Sequence, residues 1–191
     1  MHFTLLFGSY RHDRKGIRAA LYVEAALKAR GHETRLVDAG ALELPIYDRM
    51  FKEYPAGTAP APLPELAENH RKTDAFVIIS GEYNYSVQPG LKNLLDVFLE
   101  EYFWRPSALV TYSASEIAGL RVAVHLNAVM AEMGMPTISS ILSIGNIGQS
   151  LDENGNDPEG KLQKRADRFL NELEWYAEAL KRQREEKGKP W

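Results

Sequence analysis

Two short stretches carry the residue types that could do chemistry. The first is Gly8-Ser9-Tyr10-Arg11, continuing through Arg14, Lys15 and Gly16 to Ile17. It lies between an apolar run at 3–7 and apolar residues Ile17, Ala20, Leu21, Val23 and Leu27 at helical spacing. A strand, a short Gly/Ser/Arg loop and a helix can cradle a phosphate, because the first N–H groups of a helix lack partners and the helix dipole favours anions there. Ser9 offers a hydroxyl, Arg11 a planar fork, and Lys15, Gly16 and Ile17 backbone donors. The same residues also read as a solvated basic loop. The second stretch is Glu82-Tyr83-Asn84-Tyr85, after the strand-like run 74–80 and before helically spaced Leu91, Leu94, Leu95 and Phe98. It supplies an acid, two phenols and an amide where open α/β sheets bind ligands, beyond the C-terminal ends of strands.

Other chemistry is poorly represented. There is no cysteine, which excludes disulfides, thiolate catalysis and cysteine-bound zinc. The histidines at 2, 12, 32, 70 and 125 are not spaced as a metal pair and read as surface or structural residues. Ser113 and Ser115 lack the Gly-x-Ser-x-Gly elbow of serine hydrolases. The 152–157 stretch is acidic but does not match the calcium-binding EF-hand pattern, and reads as a solvated loop. Asp38 follows a short strand at 34–37 without a glycine fingerprint before it, so a loop or capping role is expected. The side chains bring little reactivity of their own, so a bound cofactor is expected to supply it.

Stepping along the chain, strand-like and helix-like segments alternate five times. That alternation predicts a parallel sheet with helices on both faces. Strands are expected at 3–7, 34–37, 74–80, 108–112 and 137–142. Residues 55–64 hold four prolines and read as a surface loop. A helix from 116 to 133 is expected with Ser115 as its N-cap. It carries two apolar sets, Leu120, Val124, Ala128 and Ala131 against Ala123, Leu126, Met130 and Met133. A helix apolar on two sides points to a partner subunit, or else to deep burial in one domain. Residues 143–160 read as a polar loop, and Leu162 to Leu180 as a long amphipathic helix before a frayed, charged tail.

The motifs Glu82-Tyr83-Asn84, Pro89-Gly90, Leu91-Lys92-Asn93 and Asp96, with Gly8-Ser9-Tyr10-Arg11, resemble the signature of the NADPH-dependent FMN reductase family, which includes quinone, azo-dye and chromate reductases. The resemblance implies a flavodoxin-like fold: a doubly wound, five-stranded parallel sheet of order 2-1-3-4-5, residues 1–180 forming one FMN-binding domain and 181–191 a charged tail. The order puts the switch point between strands 1 and 3, which carry the two motifs. By the resemblance FMN is the cofactor, held by Ser9, Arg11, Lys15, Gly16 and Ile17 at its phosphate. Glu82, Tyr83, Asn84, Tyr85, Ser113, Ala118 and Gly119 then lie along its ring. NADPH or NADH is the donor and a quinone or similar small molecule the acceptor, in ping-pong turnover, with no catalytic side chain assigned. A homodimer or homotetramer is implied. The chain departs from the family where Gly81 replaces a common proline and Tyr85 a small residue, which would narrow the acceptor site.

The 191 residues suffice for one domain with a sizeable core. A formal charge of -3 disfavours nucleic-acid binding. No run approaches the ~20 apolar residues of a membrane helix, and no targeting signal is apparent, so a cytoplasmic protein is expected. Two other readings use the same fold, a non-enzymatic flavodoxin-type electron carrier and a flavin-free binding module. Ser9-Tyr10-Arg11 and the modest charge favour the reductase over the carrier.

Overall fold

The three central strands are built from nearly continuous buried runs because both faces of the sheet are covered. In the computed structural model, which describes residues 1–42 and 44–191, five strands are all parallel. They are β1 (His2–Phe7), β2 (Glu33–Asp38), β3 (Ala75–Gly81), β4 (Ser107–Tyr112) and β5 (Thr137–Ile144), in the order β2-β1-β3-β4-β5. This is the expected doubly wound, flavodoxin-like arrangement, with the crevice between β1 and β3.

Side-chain alternation along β1 and β3 sorts the core into two layers. Phe3, Leu5, Phe7, Val77 and Ile79 pack with α1 (Ile17–Ala29) and α7 (Gln163–Lys187). Leu6, Phe76 and Ile78 pack with α3 (Leu63–Lys72), α4 (Pro89–Asp96) and α5 (Leu120–Glu132). Each fully buried Leu, Ile or Phe contributes about 1.5–3 kcal/mol. The remaining helices are one-turn pieces, α2 (Ala39–Leu42) and α6 (Ile147–Ser150). Gly31, in the left-handed region at φ 81°, ends α1 where expected.

Three expectations are corrected. The helix after β4 starts at Leu120, not 116, and Ser115 is not its cap. The Thr111 hydroxyl donates to the Ala118 carbonyl, and Ser113 Oγ accepts from Ser115 N–H, holding a turn. Ala118 and Gly119 are then left-handed, so helical geometry begins only after them. The stretch 143–160 is not all loop: β5 pairs with β4 as far as Tyr112 and Ile144, and α6 follows. The C-terminal residues are not frayed from 181. The helix runs to Lys187, because Lys181 and Arg184 pair with Asp74, 3.0 and 3.7 Å away, at the N-terminal end of β3.

Of the two apolar sets on α5, Ala123, Leu126, Met130 and Met133 are buried. Leu120 and Val124 stay exposed, Val124 at 72%, with Ala128 and Ala131 beside them. Deep burial within one chain is thereby excluded for that face.

Candidate active site

The two motifs interlock at the C-terminal edge of the sheet. A Cβ on Gly8 would fall on Leu91, and a Cβ on Gly90 would fall on the Tyr10 ring. Small residues at both positions therefore let the loop after β1 lie directly on the start of α4. Between them opens a cavity of about 510 Å³, lined by Arg11, Lys15 and Gly16 from the first loop, Glu82 and Tyr83 from the second, and Ser113 from the loop after β4.

The end of the cavity beside α1 is rich in donors. Arg11 is exposed on its wall and has no ion-pair partner among the described residues. Arg14 differs: its guanidinium donates to Asp38 at 2.5 Å, so its charge is already matched. Asp38 also accepts from Gly40 N–H at 3.1 Å, the capping role expected of it. Lys15 faces the cavity and has a 3.5 Å contact with Asp13. Ser9 is buried, with its hydroxyl 3.5 Å from that of Tyr83. Ile17 does not line the cavity, and its N–H is engaged by the Arg14 carbonyl at 3.0 Å.

The loop after β3 is a tight reversal. Tyr83 and Ser86 exchange two backbone hydrogen bonds of 3.0 Å around Asn84 and Tyr85, both left-handed. Asn suits that conformation, and Tyr is rare in it. The turn aims Asn84 at a second opening of about 350 Å³, shared with Arg11, Glu82 and Tyr83. Tyr85 lines neither opening and is 58% exposed. The Glu82 side chain is only 6% exposed and is paired with Arg121 from the first turn of α5. Its Oε2 has no hydrogen-bond partner among the described residues. Ala118 and Gly119 do not line the cavity; they shape the turn that puts Ser113, Ala114 and Ser115 on its wall.

Three residues with no role assigned from sequence belong to this site. Gln88, buried, accepts from Gly81 N–H at 3.1 Å and donates to the Tyr112 hydroxyl at 3.0 Å. Tyr112 forms part of the cavity wall. Burial pushes its phenol up to about 12, against hydrogen bonds from Gln88 and Ser9. Arg121 is the third. Tyr112 was findable, since it ends a strand on the ligand-binding edge. Gln88 lies inside the signature stretch without a motif role, and nothing local marked Arg121.

The family pattern described as NADPH-dependent FMN reductase matches residues 1–149. The chain belongs to that family. A quinone reductase of Escherichia coli (strain K12) is 30% identical over 112 residues, a match covering 56% of this chain and 58% of that protein. Among solved structures, the flavoenzyme NAD(P)H:(acceptor) oxidoreductase FerB of Paracoccus denitrificans superposes with a TM-score of 0.76 at 20% identity, over 92% of this chain and 98% of FerB. A flavodoxin of Pseudomonas aeruginosa superposes at 0.55 and 16% identity, over 89% and 99% of the two chains. These last two likenesses concern the fold.

The donor set fits the FMN of this reductase family. An anion has Arg11, Lys15 and Gly16 on the wall of one cavity, beside the start of α1, with Ser9 buried behind them in the same loop. Tyr83 and the loop 113–115 line the same cavity, whose volume of about 510 Å³ is large enough to admit a ring. Among the described residues, no cluster of three or more His, Cys, Asp or Glu could hold a metal ion.

Proposed function

We propose that the protein is an FMN-dependent NAD(P)H oxidoreductase that passes two electrons to a quinone or similar small acceptor, donor and acceptor taking turns at one site. The observation that carries this reading is the meeting of the phosphate-loop and signature-loop residues on one cavity with a cationic end. The net change is NAD(P)H plus a proton plus quinone giving NAD(P)+ and hydroquinone.

When bound, FMN supplies the hydride-accepting ring and the two-electron chemistry. The chain itself binds and orients. Arg11 and Lys15 neutralise the phosphate, and Ser9 adds a hydroxyl donor. Glu82, Tyr83 and Asn84 border the ring end with backbone and side-chain polar groups. Ser113 to Ser115 close the opposite wall. Tyr112 keeps its proton near neutrality. The wild-type assembly is a homodimer in the cytoplasm, a second copy covering the exposed Leu120 and Val124 of α5 and Ile117 in the turn before it. Among the described residues, no helix is long and apolar enough to cross a membrane.

The test is a visible spectrum after incubation with FMN and desalting, followed by anaerobic NADPH. Retained flavin bands that bleach with NADPH are expected, and an acceptor screen follows. Bands that neither NADPH nor NADH bleaches would favour an electron carrier. No retained flavin, with no binding on titration, would end the reductase reading.

A further inference from the structure

The hydroxyl of Tyr112 lies directly against the phosphate loop at Gly16. A Cβ on Gly16 would fall on its ring, and hydrogen bonds with the Ser9 hydroxyl and the Gly81 backbone complete the surround. On the other flank, a Cβ at Gly81 would lie 2.9 Å from Tyr112 Cε2 and 3.1 Å from Gln88 Nε2. Two glycines thus make the slot that this ring fills, and one of them, Gly81, stands where the family commonly has proline.

The hydrogen bonds in the slot are directional. Gly81 N–H donates to Gln88 Oε1 at 3.1 Å, which fixes the amide. Gln88 Nε2 is then the donor to Tyr112 Oη at 3.0 Å. The phenol oxygen accepts, so besides the Ser9 hydroxyl, a neutral partner, its own hydrogen has two destinations. One is Gln88 Oε1 at 3.3 Å, an oxygen already accepting from Gly81. The other is the cavity, on the side where Arg11, Lys15 and Gly16 gather. A phosphate oxygen is the stronger acceptor, because a hydrogen bond to an anion is about twice as strong as one between neutral groups.

We propose that Tyr112, oriented by Gln88, is an anchoring residue that donates its hydroxyl hydrogen to the phosphate of bound FMN. The inference rests on the FMN reading above and adds a neutral donor to the cationic cradle. Because the phenol stays protonated to high pH, the donor is present across the working range.

Tyr112→Phe keeps the ring and removes the donor. FMN and riboflavin, which lacks the phosphate, are titrated against wild type and variant by flavin fluorescence quenching, with a thermal melt as a check on folding. The expected result is an FMN Kd raised about tenfold, with riboflavin affinity changed less than about twofold. Gly81→Ala, which crowds the ring, is expected to weaken FMN in the same sense, and the double variant to bind no worse than the poorer single one. An unchanged FMN Kd, or an equal loss for both flavins, would overturn the anchoring role while leaving the reductase reading intact. Wild type that binds neither flavin would overturn both.

Discussion

The guanidinium of Arg121 lies over the Tyr85 ring, 3.8 Å from the ring centroid. The same group pairs with Glu82, so one cation ties the tip of the loop after β3 to its base. The strand edge, the left-handed turn and the start of α5 are thus one unit. Tyr85 spends its exposed face on this contact and does not project into the main cavity.

Arg121→Ala is expected to lower the melting temperature, because the nearly buried Glu82 carboxylate loses its cation while its Oε2 already lacks a hydrogen-bond partner among the described residues. Tyr85 also loses its stacking partner. Arg121→Lys should recover only part of the loss, since an ammonium cannot stack flat and pair at once. Thermal melts of the two variants, with limited proteolysis at the loop, check both statements. Equal melting of Arg121→Ala and wild type would contradict them.

The two arginines of the phosphate loop should separate by function. Arg11→Gln is expected to weaken FMN about tenfold or more and to flatten the salt dependence of binding, since its charge has no partner among the described residues. Arg14→Gln should weaken FMN less and cost stability, because it strands the Asp38 carboxylate. Flavin titrations at low and high salt, paired with urea denaturation, distinguish the two.

His70 should set an acid limit on stability. Burial among Phe76, Phe98 and Tyr102, with Arg105 nearby, lowers its pKa from 6.5 to about 3. Below pH 6.5 the unfolded chain takes up a proton that the folded chain refuses. Stability is therefore full above 6.5 and is lost as pH falls towards 3, by on the order of 5 kcal/mol across the window. His70→Phe should flatten that slope, measured by urea denaturation at several pH values. An unchanged slope would show that other groups carry the acid sensitivity.

Removing residues 181–191 should destabilise the fold although the crevice lies at the other end of the sheet. Asp74, with its side chain 7% exposed, would keep the His2 N–H but lose Lys181 and Arg184. Arg184 also donates to the Trp104 carbonyl, and the Trp191 ring packs on Phe103 and Trp104. A loss of about 3 kcal/mol is expected, since an uncompensated buried carboxylate remains. Asp74→Asn in the truncated chain should restore part of it.

Val124→Glu tests the proposed dimer. The residue stands on the uncovered face of α5 and makes no core contact there. The wild-type protein is expected to sediment as a dimer and the variant as a monomer with an unchanged circular dichroism spectrum. A wild-type monomer would rule out the assembly.

The sequence by itself determined the order and kind of the main elements. Strands such as residues 75–81 are apolar on both faces, and helices such as α1 repeat every three to four residues, so each element is written in its own local pattern. It also named the two loops that meet, because parallel connections bring the C-terminal ends of neighbouring strands to one edge. Tertiary structure decided which side chains those loops present. Arg14 reaches the cavity wall with its charge already matched because Asp38, 24 residues on, claims it, which leaves Arg11 as the guanidinium there without an ion-pair partner among the described residues. Tyr112 entered the site through Gln88 and Arg121 through Glu82, pairs joined only by the sheet register and the start of α5. The helix after β4 began late because Thr111 and Ser143, side by side on neighbouring strands, and the Ala118 carbonyl share hydrogen bonds across the sheet. Local periodicity fixes an element through its own backbone and burial. A long side chain is fixed by the charge or hydrogen-bond partner it meets, and that partner is set by the packing of distant segments.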